Sequence, residues 1–333
     1  MVKWWDNGLE SLTYDDILIR PAYSQLSSRT DASTNVYLKV CNKEYIVQPI
    51  IPANMITIAT EQMIHELSKL DIIVPAQRFQ SKEEELASIK LSKPFFKAAS
   101  VGIKERDRTE FIAPHVDILF LELAHAHSKQ AIEEAKWIIR NYPEKLLVVG
   151  NVATADACKA FRDVGVNMCK IGIGPGATCK TRTVTGCGVP QLSAVLECAP
   201  IMPVIADGGI KNSGDCIKAL AAGASFVMIG SLFAGTDEAG TQRIKGKGTK
   251  IYLGMASNEA GRVSSGNVPE GVAAEVPYSG NACEVANELL AGIRQGMAMV
   301  GAKNLEELRE KAVFQRVSGA TIIENQPHIL FRK

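Results

Sequence analysis

No stretch of this sequence approaches the ~20 consecutive apolar residues that a membrane-spanning helix needs. The N-terminus, MVKWWDNGLESL, lacks an apolar core after its basic start, so no secretory signal is expected and a cytosolic chain is the default. An excess of charge of one sign is also missing. Lys and Arg number 37 against 36 Asp and Glu, a formal net charge of +1, where a nucleic-acid binder carries a basic surplus. The eight cysteines (Cys41, Cys158, Cys169, Cys179, Cys187, Cys198, Cys216, Cys283) include no C-x-x-C pair, and histidines number only five. That argues against structural zinc and against a disulfide framework. What is present is a core-forming chain of 333 residues, 46% hydrophobic and 22% charged, sized for one large α/β domain or two small ones. Most cysteines sit in apolar segments and read as small buried hydrophobes; Cys179 does not.

Short β-rich apolar runs alternate with amphipathic stretches. Strands are expected at Pro49–Ala53, Ile72–Ala76, Phe95–Val101, Ile118–Ala124, Leu146–Val152, Met168–Ile173, Pro203–Ala206 and Phe226–Gly230. Helices are expected at Glu61–Leu70, Lys82–Ser92, Arg106–His115, Lys129–Tyr142, Ala155–Val164, Gln191–Cys198 and Gly214–Ala222, then at Ala282–Val300 and Leu305–Ala312. Thr154 and Ser213 read as N-caps, and Gly165 and Gly223 as helix stops. Strands this apolar, with helices between them, indicate a parallel sheet covered on both faces. An open doubly wound sheet is one solution; a closed (β/α)8 TIM barrel fits the count of eight better. In a barrel the chemistry sits on the loops after the strands, and the informative polar residues fall there: Asn54-Met55, Gln77-Arg78, His125, Asn151, the loop from Gly174, Asp207 and Ser231. The expectation is a single barrel domain over residues 1–333, with a flap across 235–270 and closing helices across 282–312.

The strongest chemical signal is the loop Gly172-Ile173-Gly174-Pro175-Gly176-Ala177-Thr178-Cys179-Lys180-Thr181-Arg182. Its glycines and proline fix a tight backbone that can offer carbonyls to a cation or amides to an anion. Lys180 and Arg182 flank the cysteine, and nearby positive charge favours the thiolate. The bland alternative is a surface turn with an incidental cysteine. Asp207-Gly208-Gly209 and Gly230-Ser231 end the last two strands, where barrels commonly build a phosphate cup, and Asp207 suits ribose hydroxyls. The alternative is turn glycines alone. Glu270, read by itself, is a solvated surface acid. His125 and His127 have metal-like spacing, but without further ligands they read as solvated imidazoles beside a helix capped by Ser128.

With those residues laid out, the chain resembles the IMP dehydrogenase / GMP reductase family over nearly its whole length. The resemblance rests on Leu12–Pro21, Pro52–Met55, Gly150–Val152, Gly172–Arg182, Thr185–Gln191, Asp207–Gly209 and Tyr252–Met255 taken together. It implies a TIM barrel in which Cys179 attacks the 2-carbon of a purine nucleoside monophosphate and Thr181 pairs with Glu270 in proton transfer. It further implies that Asp207 binds ribose and that Gly208, Gly209, Gly230 and Ser231 bind phosphate. Asn54, Met55, Gly254, Met255, Ala256 and Gly271 would complete the nucleotide site. Ser28, Arg29, Arg78, Glu122 and Ala124 would contact a dinucleotide, and Gly174, Gly176, Cys179 and Arg182 would hold potassium.

Within that family the sequence suggests the reductase branch: GMP and NADPH giving IMP and ammonia. Arg78 to Ala98 leaves no room for the paired CBS modules usual in dehydrogenases. The Arg-Tyr pair that dehydrogenases use to activate water does not occur between Gly235 and Glu270; Arg262 is followed by Val263. Other features lean the opposite way, among them Val268–Gly271 and Lys311–Ser318. Ala177, Ile56, Glu122 and Lys180 depart from the family's usual residues. The competing readings are an IMP dehydrogenase using NAD+ and water, a relative acting on a modified or deoxy guanine nucleotide, an FMN-dependent barrel, and a non-catalytic nucleotide binder. No nucleic-acid or membrane partner is expected. A homotetramer is, from the resemblance and from Trp4 and Trp5 in an N-terminal arm.

Overall fold

A computed structural model describes residues 3–4, 11–41, 43–91, 96–261 and 268–325. The chain folds as a (β/α)8 barrel. Seven parallel strands run in unbroken pairing: β1 (Ile50–Pro52), β2 (Ala98–Val101), β3 (Ile118–Glu122), β4 (Leu146–Val152), β5 (Met168–Ile171), β6 (Val204–Asp207) and β7 (Phe226–Ile229). Strands β2 to β7 pair in chain order, and β7 turns back onto β1 through Met228 opposite Ile51. Apart from Glu122, Asn151, Asp207 and the edge residue Leu146, every strand residue is buried, as a sheet covered on both faces requires.

The eighth position is held by the run expected at Ile72–Ala76, which makes a single bridge, Ala76 to Ala99. Pro75 has no N–H to donate, so the run cannot extend a ladder. The backbone N–H of Gln48 donates to the Asp71 carbonyl at 3.0 Å, joining this segment to the start of β1.

The helices form where the apolar spacing places them. Lys129–Asn141 buries Ala131, Ala135 and Ile138 on one face, and Ser128 caps it by accepting from the Ala131 N–H. Thr154 caps Ala155–Asp163 as expected. The helix Ser213–Ala221 starts one residue earlier than the sequence reading: its cap is Asn212, which accepts from the Asp215 N–H at 3.0 Å, and Ser213 lies inside. Gly223 ends this element at φ +111°, a conformation that costs a residue with a Cβ.

Two small sheets, the first antiparallel and the second mixed, were not foreseen. Val36–Val40 and Lys43–Val47 form a hairpin, and Val313–Arg316 joins Ile17–Ile19 and Lys3–Trp4 in a small sheet. The Trp4 side chain and Trp5 lie outside the described residues. The flap region is partly ordered as a three-stranded antiparallel sheet of Arg243–Ile244, Thr249–Leu253 and Ala273–Pro277. Residues 262–267, with Arg262, lie outside the described residues. Among the described residues no helix is long and apolar enough to cross a membrane.

Candidate active site

The C-terminal mouth of the barrel opens into a cavity of about 720 Å³ that takes residues from every strand end and from the flap sheet. Cys179 reaches it because three backbone segments are stitched together. The Val272 N–H donates to the Thr178 carbonyl at 3.0 Å, and the Lys180 N–H to the Glu270 carbonyl at 2.6 Å. Glu270 and Gly271 in turn donate to the Ala256 carbonyl, at 3.1 and 3.0 Å. Side chains would prevent this approach: a Cβ on Gly254 would lie 3.0 Å from the Gly271 backbone.

The result is a hydrogen-bonded line. The Cys179 thiol donates to the Thr181 hydroxyl at 3.1 Å, and that hydroxyl donates to Glu270 Oε2 at 2.7 Å. Glu270, which reads alone as a surface acid, is thus the far end of a hydrogen-bonded line from the thiol. The structure gives Cys179 a hydroxyl partner rather than a cationic one. Lys180 is exposed, and Arg182 is turned to the Val189 carbonyl at 2.6 Å. The stem of Arg182 fills the space against Gly174 and Gly188, where a Cβ would approach within 2.4 and 2.6 Å. A guanidinium has no acceptor, so Arg182 enters a cation-binding set only through its carbonyl, which already accepts from the Gly186 N–H at 3.1 Å.

Asp207 ends β6 with its carboxylate in the cavity. Its Oδ2 accepts from Asn151 Nδ2 at 2.9 Å and from Lys170 Nζ at 2.7 Å. Gly208 and Gly209 follow at φ +92° and +79°, folding the turn against Pro175. Gly230 and Ser231 sit beside it, and a Cβ on Gly230 would meet the Tyr252 hydroxyl at 2.3 Å. Burial pushes the Tyr252 phenol up to about 12, so it stays a neutral donor. Asn54 donates to Ser100 Oγ at 2.7 Å. Arg78 is held by Glu105 at 2.6 Å and lies over the Phe79 ring at 4.3 Å.

The cavity therefore gathers Cys179, Thr181 and Glu270; Asn54, Met55, Asp207, Gly208, Gly209, Gly230, Ser231, Gly254, Met255, Ala256 and Gly271; Arg78, Glu122 and Ala124; and Gly174, Gly176 and Arg182. It leaves out Ser28 and Arg29. Both are exposed, and Ser28 is occupied in capping the short turn Arg29–Asp31. Sequence reading missed Lys170. The available signal was a lone cation in the apolar run Met168–Ile173, which must find a counter-charge once buried. Among the described residues no cluster of His, Cys, Asp and Glu suits a metal, and His125 and His127 lie edge to face with ring centroids 6.5 Å apart.

This arrangement defines a barrel whose mouth holds a cysteine hydrogen-bonded through a threonine to a carboxylate, beside a Gly-rich turn. The IMP dehydrogenase / GMP reductase domain family matches residues 11–328, and the chain belongs to that family. It is similar to the inosine-5'-monophosphate dehydrogenase of Aquifex aeolicus (strain VF5), 44% identical over 250 residues covering 69% of this chain and 51% of the relative. Against that of Staphylococcus saprophyticus subsp. saprophyticus the identity is 42% over 254 residues, 69% of this chain and 52% of the relative. The chain spans about half the length of these relatives.

Proposed function

We propose that this chain oxidises a purine nucleoside monophosphate through a bond from Cys179 to the purine 2-carbon, and that the reaction is IMP with NAD+ and water giving XMP. The observation that carries it is the line Cys179–Thr181–Glu270 inside a cavity that also holds Asp207. The similarity to inosine-5'-monophosphate dehydrogenases supports the direction. This departs from the reductase expectation and replaces NADPH with NAD+.

Asp207 takes the ribose hydroxyls, and the Gly208-Gly209 turn with Gly230 and Ser231 takes the phosphate. Once the thiolate has added to the 2-carbon, a bound nicotinamide supplies the hydride acceptor. Glu270, through the Thr181 hydroxyl, then takes a proton from the water that attacks the same carbon, and the Cys179 sulfur leaves. The residues fit a dinucleotide. Arg78 Nε and Glu122 Oε1 are buried polar atoms with no partner in the protein, which a second polar ligand in the cavity would satisfy. A monovalent cation such as potassium would be held by carbonyls of Gly174, Gly176 and Cys179, of which that of Gly176 also accepts from the Cys179 N–H at 3.0 Å, with Arg182 bracing the loop.

GMP reduction is the second reading, and one observation favours it: no Arg-Tyr pair stands between Gly235 and Glu270 to activate water. Incubation with IMP and NAD+, and separately with GMP and NADPH, following nicotinamide absorbance, decides between them. Sustained XMP formation supports the proposal. Turnover of GMP and NADPH alone reverses the direction and keeps Cys179. No turnover and no nucleotide binding in either mixture removes both readings.

A further inference from the structure

Lys170 lies in β5 with its side chain only 4% exposed, in the wall of the cavity. Its ammonium reaches two carboxylates on two other strands: Asp207 Oδ2 at 2.7 Å, from the end of β6, and Glu122 Oε2 at 3.1 Å, from the end of β3. The place is built for it. Gly150 is the register partner of Lys170 across β4 and β5, and a Cβ at Gly150 would lie 2.5 Å from the Lys170 Cβ. Burial works against the charged amine, but the Asp207 and Glu122 charges overcome it and leave the net shift upward. Two carboxylates this close to one cation compete for it. Without the cation they would repel each other.

We propose that Lys170 is a positioning residue that holds the Asp207 carboxylate aimed for the ribose hydroxyls of the nucleotide, against the opposing charge of Glu122. The proposal rests on the reading of Asp207 as the ribose-binding group. Its content is electrostatic: the harm done by losing Lys170 comes from the second carboxylate, so removing that carboxylate repairs it.

Titration calorimetry with IMP and with GMP, in the absence of cofactor, tests this without requiring turnover. Lys170→Met is expected to weaken the wild-type affinity by about tenfold or more at pH 7, the cost of removing a charge-assisted partner. Lys170→Met combined with Glu122→Gln is expected to recover most of the affinity at pH 7. Lys170→Gln stands in if the Met variant does not fold. Wild-type affinity in the single variant, or a double variant as weak as the single one at pH 7, overturns the proposal. If the wild-type protein binds neither nucleotide, the functional reading fails instead.

Discussion

At the scale of single residues the site separates binding from chemistry. Asp207 and the Gly208-Gly209 turn come from β6, whereas the Cys179 thiol hangs from a loop tied to the flap through Glu270 and Val272. Cys179→Ala is therefore expected to abolish turnover while leaving nucleotide affinity within a few-fold of wild type, and to eliminate any covalent nucleotide adduct in the intact-mass spectrum. Normal turnover in that variant would remove the cysteine from the mechanism. Asp207→Ala should do the opposite. It leaves ribose hydroxyls without an acceptor, a loss of about 1–3 kcal/mol, so the dissociation constant for IMP should rise about tenfold or more with the melting temperature little changed. Glu270→Gln keeps an acceptor for the Thr181 hydroxyl but cannot take a proton. Its kcat should fall on the order of 10²-fold or more, with a much smaller change in KM. An equal rise in KM would mean that Glu270 binds substrate and does not serve as a base.

At the scale of elements, what the sequence revealed depended on whether a local rule governed the outcome. The strand Leu146–Val152 and the helices Gln191–Cys198 and Ala282–Val300 have the bounds expected from apolar spacing, because each buries a regular face against the barrel. Pro75 shows the reverse: the composition of Ile72–Val74 says strand, and one missing N–H reduces it to a bridge. Glu270 and Lys170 were illegible alone for a different reason. Their meaning depends on partners 89 and 37 residues away in the chain, which only the closed barrel brings within reach. A comparable long-range effect lies between the helices Lys82–Leu91 and Arg106–Ile112. Fully buried Glu85 meets Arg108 at 2.5 Å, and Arg108 also approaches Glu105, which holds Arg78 at the cavity. Burial raises the Glu85 carboxyl from 4.5 to about 7, against the pull of Arg108. The folded state therefore holds this proton more tightly than the unfolded chain does. Its stabilising contribution is complete below about 4.5 and is lost as pH rises through about 7. Denaturant titrations of Glu85→Gln between pH 5 and 7 should show a stability that falls less with pH than in wild type, by up to about 1.4 kcal/mol per pH unit. Parallel slopes would show that Glu85 is ionised throughout.

At the scale of the whole molecule, the barrel accounts for its interior and leaves large apolar side chains outside. Tyr37 and Ile46 face each other across the N-terminal hairpin at 70% and 52% exposure. Tyr23, 86% exposed, stands beside Met299, 59% exposed, where the Ala22 N–H donates to the Met299 carbonyl at 2.9 Å and the Tyr23 carbonyl crowds Gly301. Single exposed hydrophobes are ordinary, but pairs on elements outside the barrel are what an interface between copies covers. We expect a homotetramer. Light scattering at micromolar concentration should give a mass about four times the 36.0 kDa of one chain, and charged substitutions at Tyr37 and Ile46, or at Tyr23 and Met299, should lower it. Asp207, Gly208, Gly209, Gly230 and Ser231 line the same cavity, so a dissociated variant is expected to bind nucleotide still, and any loss of turnover on dissociation would place a cofactor contact across the interface. Ser28 and Arg29, exposed and away from the cavity of their own chain, are the residues such a contact would use. Arg29→Ala should then raise KM for the dinucleotide in the tetramer and leave nucleotide affinity unchanged. A monomer of about 36.0 kDa with full activity would refute both the assembly and the trans contact.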